Sequence, residues 1–394
     1  MNYSSKYYQK SDPVSIYPLT EYSLASAKAA LTALISPVFD LDTVKEGMCV
    51  VIKANLVSAM KSETAATTNP VLLCALSELL SERGARVIVG DSPGGLYTPA
   101  FVNRVYRVSG VTEVESHGAS LNSDFSEKHA VFEEAKVLKS FAYTGYLDQA
   151  DLIINFSKLK SHGMMGMSNA TKNMFGVIPG IIKPEYHYRF PNYSDFANML
   201  LDLNEYFHPV LSISDAVVGM EGNGPTAGTP KPLGFLLASH SPHNLDLLAS
   251  FLLGFSPEEL PMLVAARERG MIPATHKELN IIGAYEKHRV LDFEKVCERR
   301  SLEFSKNGGK IKRFFGKISE LILKTRPKLL PDLCVGCGVC RDICPAKAIV
   351  IENGKAKIAR RDCIRCFCCQ EFCPKGALRV KRTALAEIFH HEKR

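Results

Sequence analysis

The chain has 394 residues, of which 46% are hydrophobic and 23% are charged, and its net charge is +7. This length indicates two or three domains of ordinary soluble composition. No apolar run approaches the roughly 18 residues that a membrane-spanning helix needs, and the N-terminus lacks the charged and then apolar profile of an export signal. Twelve cysteines without such a signal predict a protein of the reducing cytoplasm.

Charge is divided unevenly along the chain. Residues 306–394 contain 21 Lys and Arg against 8 Asp and Glu, a balance of +13, so residues 1–305 carry about −6. A basic region of this kind either attracts an acidic partner or is a solvated surface that offsets the acidic remainder, and the composition leaves both open. No segment interleaves aromatic and basic side chains as a single-strand binding platform does, so nucleic acid is not an expected partner.

Short apolar runs in the first three quarters of the chain predict buried strands, because they are rich in Val and Ile. These runs are residues 49–57, 87–91, 152–156, 211–218, 234–239 and 280–283. Helical periodicity between several of them predicts helices over residues 70–84, 192–207 and 243–255. This alternation predicts an α/β domain over residues 1–300, with a mostly parallel sheet and flanking helices.

Three of the predicted strands are followed by polar segments rich in glycine. These segments cover residues 92–95, 157–180 and 219–230. Ligands of open α/β sheets bind outside the carboxyl ends of the strands, so these loops predict a binding site. The chain has neither a G-x-G-x-x-G turn in a strand–turn–helix setting nor a G-x4-G-K-[ST] loop, so no nucleotide or flavin site is predicted.

The candidate site residues in these loops are Lys158, Lys160, His162, Lys172, Asn173, Glu221 and Asn223, with Asp91 at a strand end and His187 as further candidates. Converging cations suit a carboxylate or phosphate group, and amides offer hydrogen bonds to it. Glu221 is the candidate proton donor or acceptor. Any one of these residues alone could be solvated or structural. Their grouping in three loops predicts a site for a small anionic substrate.

A basic linker is predicted over residues 301–330. Gly308 and Gly309 open it, Pro327 and Pro331 end it, and apolar residues recur between them at helical spacing among lysines. A basic amphipathic helix either packs against its own protein or lies on a membrane surface. We favour packing, so contact with a membrane surface is not expected.

Eight cysteines near the C-terminus form two copies of the spacing C-x2-C-x2-C-x3-C-P. This run holds 4Fe–4S clusters in bacterial-type ferredoxins, where the fourth cysteine of each run ligates the other cluster. Carried onto this chain, the first cluster takes Cys334, Cys337, Cys340 and Cys373, and the second takes Cys363, Cys366, Cys369 and Cys344. The alternative, a zinc site, usually has two C-x2-C pairs about 15–20 residues apart rather than this register.

Residues 331–381 resemble the small α+β fold of bacterial two-cluster ferredoxins. Between the runs, residues 348–362 predict a hairpin with Asn353 and Gly354 at its turn, and residues 376–380 supply a matching strand. The segment is too short for a sizeable apolar core, so the metal must supply much of its stability. Residues 382–394 are predicted to be a C-terminal tail.

Four cysteines lie outside the ferredoxin register. Cys49, Cys74 and Cys297 stand singly in apolar or helical segments and are expected to be buried free thiols. Cys368 lies between two predicted ligands. We expect it to be an unligated thiol beside the cluster, and an alternative ligand is the other possibility.

Five segments of the larger domain resemble the family catalogued as domain of unknown function 362. They are VGDSPGG, NFSKLKSHG, ATKNMFGVIPG, ISDAVVGMEGNGPTAG and ARERGM, and the resemblance covers roughly residues 15–285. It implies the α/β architecture, the candidate positions and a C-terminal ferredoxin-type domain, which many members carry. It implies no reaction, because the family has no assigned activity. The sheet and its glycine loops are more distantly similar to nickel-dependent lactate racemases, without a residue-by-residue match of motifs.

These observations predict an iron–sulfur protein with two 4Fe–4S clusters. We expect it to transfer electrons to or from a small anionic substrate or a redox partner protein at the α/β domain. It is then a candidate iron–sulfur oxidoreductase or oxidoreductase subunit, and whether it is an enzyme stays open. The alternative is a noncatalytic electron carrier or a cofactor-assembly or binding factor. A cytoplasmic location and a part in anaerobic metabolism are further expectations.

Overall fold

The computed structural model describes residues 5–296 and 325–381. Most of the predicted linker, the predicted tail 382–394 and Cys297 lie outside these residues. Between residues 5 and 296 the strands are β1 (Val14–Pro18), β2 (Cys49–Lys53), β3 (Arg86–Gly90), β4 (Ala119–Leu121), β5 (Glu127–Val131), β6 (Ser140–Thr144), β7 (Leu152–His162), β8 (Gly166–Ser168), β9 (Leu211–Glu221), β10 (Thr229–Ser239) and β11 (Ile281–Ile282).

Nine of these strands form one mixed sheet in the order β11-β1-β10-β9-β7-β2-β3-β4, with β8 paired to β7. The run from β9 through β7, β2 and β3 to β4 is parallel, and β10 pairs antiparallel with both β9 and β1. Strands β5 and β6 form a separate hairpin. The predicted α/β architecture with a mostly parallel sheet is therefore confirmed.

Eight helices flank the sheet in this part of the chain: α1 (Leu24–Ile35), α2 (Pro70–Ser81), α3 (Pro99–Ser109), α4 (Ala170–Asn173), α5 (Lys183–Arg189), α6 (Tyr193–Phe207), α7 (Pro242–Leu252) and α8 (Pro261–Glu268). Helix α2 begins after Asn69, whose side chain accepts a hydrogen bond from the Val71 amide. Among the described residues, no helix is both long and apolar enough to cross a membrane.

The sheet separates two hydrophobic cores, because alternate side chains of a strand point to opposite faces. Val51 of β2 belongs to one core, whereas its neighbours Val50 and Ile52 belong to the other. All five residues of β2 are buried, as the continuous apolar pattern of a central parallel strand predicts. This two-sided burial fixes the carboxyl edge of the sheet as the rigid base of the loops that follow.

Two predicted loops begin as strands, which corrects the sequence interpretation. Strand β7 continues to His162 and β9 continues to Glu221, so both are longer than the apolar runs that predicted them. The added residues are polar, yet every residue from 154 to 162 is buried. The prediction failed because buried polar side chains find partners that are distant in sequence, and a local pattern does not show them.

The C-terminal domain contains β12 (Arg326–Leu329), α9 (Val339–Asp342), β13 (Ile349–Glu352), β14 (Lys355–Ile358), α10 (Cys368–Glu371) and β15 (Leu378–Lys381). Strands β13 and β14 form the predicted hairpin, and both turn residues, Asn353 and Gly354, have positive φ. Strand β12 pairs with β15. Residues 326–329 were assigned to the helical linker and instead form this strand, so the domain begins earlier than residue 331.

The two cysteine runs repeat one backbone pattern. Gly336 and Gly338 of the first run have positive φ, as do Arg365 and Phe367 at the equivalent positions of the second run. This conformation favours glycine, so a phenylalanine there needs a compensating interaction. Phe367 is only 2% exposed and belongs to a hydrophobic core of the larger domain. The second run therefore docks into the α/β domain through this side chain.

We expect Phe367→Ala to destabilise the docked arrangement, because truncating a buried phenylalanine costs about 3 kcal/mol or more. Denaturant unfolding followed by circular dichroism measures the loss. Phe125→Ala is the control, since Phe125 is a partly buried residue at the edge of the other core. Equal losses for the two variants would contradict a docking role for Phe367.

Candidate functional site

A cavity that is partly open to solvent lies between the carboxyl edge of the sheet and the C-terminal domain. Residues after β2 and β3, the end of β7, helices α4 and α5, and helix α10 of the C-terminal domain form its walls. Its polar lining residues are Lys53, Asn55, Asp91, Ser92, Lys160, Ser168, Lys172, Asn173, Lys183, His187, Cys368 and Glu371. The site thus occupies the sheet edge at which open α/β folds bind ligands.

One lysine of the cavity is already neutralised by a carboxylate. The Nζ of Lys53 lies 2.6 Å from Asp91 Oδ1, and both side chains are buried. Lys53 also donates to the Ala54 carbonyl and to Asn173 Oδ1, while Asp91 Oδ2 accepts a hydrogen bond from the Leu56 amide. This pair forms a fixed floor, and its two charges cancel there.

Two further lysines are held by neutral acceptors only. Lys160 donates to Asn55 Oδ1 at 2.8 Å and to the Ala66 carbonyl at 2.5 Å. Lys183 donates to the carbonyls of Ser92 and Ile178, both at 2.6 Å. Burial lowers the pKa of each lysine to about 7. Near neutral pH each of these lysines is therefore only partly protonated. A nearby negative charge would stabilise the protonated form.

Lys172 is the least satisfied cation of the cavity. It is 9% exposed and lines the cavity, and within residues 5–296 and 325–381 its Nζ has no hydrogen-bond or ion-pair partner. The nearest interaction is with the Phe175 ring, 5.7 Å from Nζ to the ring centroid. Burial lowers the pKa of Lys172, and the Glu371 carboxylate opposes that shift. An unpaired buried ammonium favours an anionic ligand.

The C-terminal domain supplies Cys368, Glu371 and Phe372 to the same cavity. Glu371 Oε2 lies 3.7 Å from His162 Nε2. Burial opposes ionisation of Glu371, but His162 and the charge of Lys172 outweigh it and hold the pKa of the carboxyl below its usual value. Glu371 is therefore ionised, and it balances part of the lysine charge.

Hydrogen bonds from side chains to backbone carbonyls hold this wall in place. Gln370 Nε2 donates to the carbonyls of Asn223 and Gly224 at 3.0 and 2.9 Å. Thr226 Oγ1 donates to the Glu371 carbonyl at 2.7 Å. The β9–β10 loop of the larger domain and helix α10 are thereby locked together. With four lysines against Asp91 and Glu371, the enclosed space suits a small carboxylate or phosphate group.

The structure brings together some of the predicted site residues. Lys160, Lys172 and Asn173 line the cavity, together with Asp91 and His187. His187 stacks on Phe196 with ring centroids 4.4 Å apart, and burial lowers its pKa to about 3. His187 is therefore a neutral wall residue.

The other predicted residues lie outside the cavity lining. Lys158 forms a buried ion pair with Asp215 at 2.7 Å. The Nδ1 of His162 accepts hydrogen bonds from two backbone amides of the following turn, and burial lowers its pKa to about 4. Glu221 pairs with Lys231 at 3.2 Å. Asn223 donates to the Leu378 carbonyl of β15 and serves the interdomain contact.

Several lining residues were not predicted, namely Lys53, Asn55, Lys183, Cys368, Glu371 and Phe372. Lys53 ends β2 and Asn55 follows it, but the predicted run over residues 49–57 placed both inside the strand, so the strand-end rule did not select them. Lys183 begins helix α5 and carries no local signal. The three C-terminal residues were hidden because nothing in the local sequence shows which side of the second cysteine run docks onto the α/β domain.

The cysteines of the C-terminal domain fit the predicted clusters. A second cavity of about 350 Å³ is lined by Cys334, Cys337, Cys340 and Cys373, the set assigned to the first cluster. Burial raises the pKa of Cys369, and the charges of Cys366, Cys363 and Cys344 add to the shift, so the second set also groups together. Among the described residues, no three His, Cys, Asp or Glu side chains form a single-ion site.

Equivalent backbone amides serve the fourth cysteine of each run. The Ala348 amide donates to Cys344 Sγ at 3.3 Å, and the Ala377 amide donates to Cys373 Sγ at 3.2 Å. Amide hydrogen bonds to sulfur stabilise the thiolate form that cluster ligation requires. These hydrogen bonds suit cysteines that bind an iron–sulfur cluster as thiolates.

Comparison with known proteins yields matches for both domains. The family model described as domain of unknown function (DUF362) matches residues 50–250, and that of a 4Fe-4S dicluster domain matches residues 326–374. The second match begins at Arg326, the first residue of β12 and of the C-terminal domain. It establishes iron–sulfur binding and electron transfer as the chemistry of this domain.

One similar protein is the thylakoid-associated protein sll1697 of Synechocystis sp., 30% identical over 292 residues that cover 72% of this chain and 88% of that protein. A solved structure, the lactate racemase apoprotein from Thermoanaerobacterium thermosaccharolyticum, matches with a TM-score of 0.35 and 11% identity. It covers 57% of this chain, which in turn spans 54% of the racemase. That likeness is too low to support an argument about activity.

The crossed cluster wiring predicts which cysteine substitutions resemble each other. Cys373→Ala and Cys340→Ala should both lose the first cluster, and Cys344→Ala and Cys369→Ala should both lose the second. Iron analysis should show about half the parent content in all four, and electron paramagnetic resonance should show one remaining signal per pair. Cys368→Ala should keep both clusters. If Cys344→Ala instead resembles Cys340→Ala, the wiring is not crossed.

Anion binding should weaken as pH rises through 7. Lys160 and Lys183 carry a proton below their pKa of about 7 and lose it above that value. The charged groups that act on them are Lys53, Asp91, Lys158, Lys172 and Glu371. Titration calorimetry with sulfate, whose charge stays constant, should show about tenfold weaker binding near pH 9 than near pH 6. Lys160→Met should flatten this dependence, and a parent profile that is already flat would refute it.

Proposed function

The chain belongs to the family described as domain of unknown function (DUF362) and carries a 4Fe-4S dicluster domain, and from this premise we propose its function. It transfers electrons between its clusters and a small anionic substrate bound in the cavity between its two domains. One observation carries this proposal: Lys172 of the α/β domain and Cys368 and Glu371 of the second cysteine run line the same cavity.

The location of Cys368 supports electron transfer at this cavity. It lies between the second-cluster cysteines Cys366 and Cys369, and its own side chain is buried in the cavity wall. Because Cys368 adjoins Cys369 in the chain, an anion beside Cys368 would lie close to the second set of cysteines. No other domain separates donor from acceptor in the described structure.

The side chains of the cavity divide the work of binding and proton transfer. The clusters supply single electrons when bound. Lys172 binds the anion, and the fixed pair of Lys53 and Asp91 closes the floor behind it. Lys160 and Lys183, whose pKa values of about 7 follow from burial, hold or release a proton at Nζ as substrate charge changes.

A redox partner protein and a cytoplasmic location complete the proposal. The cysteine usage favours a reducing compartment, and clusters of this kind suit anaerobic metabolism. The relative from Synechocystis is named for its association with thylakoids.

Reoxidation of the reduced protein tests the proposal. Anaerobically reduced protein is mixed with a panel of small carboxylates and phosphorylated acceptors, and cluster absorbance is followed. One acceptor should restore the oxidised spectrum, and Lys172→Ala should slow this at least about tenfold at unchanged iron content. Lys172→Arg should recover part of the rate, because it restores the cation. Glu221→Gln is the matched control, since Glu221 pairs with Lys231 outside the cavity.

Two outcomes would overturn the enzyme proposal. In the first, no acceptor in the panel reoxidises the parent protein. In the second, Lys172→Ala reacts as fast as the parent with every acceptor. Either result favours a noncatalytic electron carrier or a cofactor-assembly factor, which would use the α/β domain for docking alone.

A further inference from the structure

The two cysteine runs present the same face twice, but residues 5–296 and 325–381 cover only one copy. In the second run Phe367, Cys368 and Gln370 are each 2% exposed or less. The residues at the equivalent positions of the first run include Val339, which is 38% exposed, and Arg341, which is also exposed. The repeat therefore buries this face on one side of the domain and leaves it bare on the other.

The larger domain covers the face of the second run. The Phe372 ring lies so close to Gly94 that a Cβ there would approach within 2.3 Å of it, and Gln370 donates to the Gly224 carbonyl. No described residue makes equivalent contacts with the first run. Its exposed residues include Leu333 at 45%, Val335 at 61% and Cys337, a ligand assigned to the first cluster.

Basic side chains surround this bare apolar face. Lys355 Nζ donates to the Pro331 and Cys334 carbonyls, Lys375 lines the cavity of the first four cysteines, and Arg341 follows Cys340. Two acidic residues, Asp332 and Asp342, share the segment, and Asp342 is paired with Arg341 at 2.8 Å. Residues 326–381 as a whole contain twelve Lys and Arg against five Asp and Glu.

The charge of the C-terminal domain indicates what kind of protein suits the bare face. The covered face has an apolar centre that includes Phe367, and its Glu371 faces the lysines of the larger domain. The bare face also has an apolar centre, but basic side chains border it, and residues 326–381 carry a balance of +7. Charge complementarity therefore favours an acidic protein, with an apolar centre and a polar rim of the kind found at protein interfaces.

We propose that the exposed face of the first cysteine run, centred on Val335 and Val339 and bordered by Arg341, Lys355 and Lys375, binds an acidic electron-carrier protein. The cysteines of the first run would hold the cluster that accepts one electron from the carrier, so the carrier would be oxidised and this cluster reduced by one electron each. The second set of cysteines would hold the cluster beside the cavity. No bond forms or breaks, and no proton is needed at the docking face.

Stopped-flow mixing with a reduced acidic [2Fe–2S] ferredoxin tests this surface. The variant is Arg341→Glu with Lys375→Glu, and the control is Arg360→Glu with Arg361→Glu, a pair of exposed residues that precede the second run. We expect the first variant to lower the second-order rate constant about tenfold at low salt. Raising salt from about 50 mM to about 500 mM should slow the parent but not this variant.

Further measurements separate docking from damage. The rate of reduction by methyl viologen and the iron content should stay within about twofold of the parent in both variants. Val335→Ser, which changes no charge, should also slow the ferredoxin reaction. The docking proposal is overturned if both charge variants slow alike, if neither slows, or if the ferredoxin reduces the parent at no measurable rate.

This inference stands apart from the proposed reaction at the cavity. Arg341→Glu with Lys375→Glu should leave the reoxidation of reduced protein by the small acceptor unchanged, because neither side chain lines the interdomain cavity. Failure of every small acceptor would remove the proposed reaction and leave the docking face supported. An unchanged rate of reduction by the ferredoxin for Arg341→Glu with Lys375→Glu would remove the docking face and leave the proposed reaction supported.

Discussion

The seating of the second cysteine run in the larger domain is the contact on which the rest of this structure depends. Phe367 adopts a backbone conformation that disfavours a side chain. Its ring is nevertheless buried in a hydrophobic core formed mostly by residues of the larger domain. Gln370 and Thr226 then hold the two domains together by hydrogen bonds to backbone carbonyls. Because of this interdomain contact the cavity has walls from both domains. Neither domain alone encloses it.

Desolvation governs the chemistry inside that cavity. Removing a lysine from water disfavours its charged form, and each buried lysine of the cavity has a different kind of partner that offsets this cost. Lys53 has a carboxylate, Lys160 and Lys183 have carbonyl and amide oxygens, and Lys172 has only an aromatic ring. The series runs from a neutralised charge to an unsatisfied one, and Lys172, at the unsatisfied end, is where we propose that the anion binds. The balance also explains why an ionised Glu371 is tolerated there.

Sequence reasoning succeeded where the determinants were local. Apolar runs located β2, β3 and the first half of β7, and the cysteine spacing located the two-cluster domain. It failed where partners are remote. Lys158 was grouped with Lys160, but its partner Asp215 lies on the neighbouring strand and removes it from the site. Glu221 is the predicted acid–base residue, whereas the carboxylates that line the cavity are Asp91 and Glu371, the latter 150 positions after Glu221. Strand β12 was missed because a basic segment with proline is typical of a linker.

The shared wall has a consequence for how the protein matures. Cys368, Glu371 and Phe372 lie in the same short segment as cysteines assigned to the second cluster, and small metal domains gain their fold from the metal they bind. If this assignment holds, we expect a chain without the cluster to have a poorly ordered cavity wall. Ligand binding would then follow cluster insertion during biogenesis. Cys368 links cluster insertion to ligand binding, because it lies between two assigned cluster ligands and also lines the cavity.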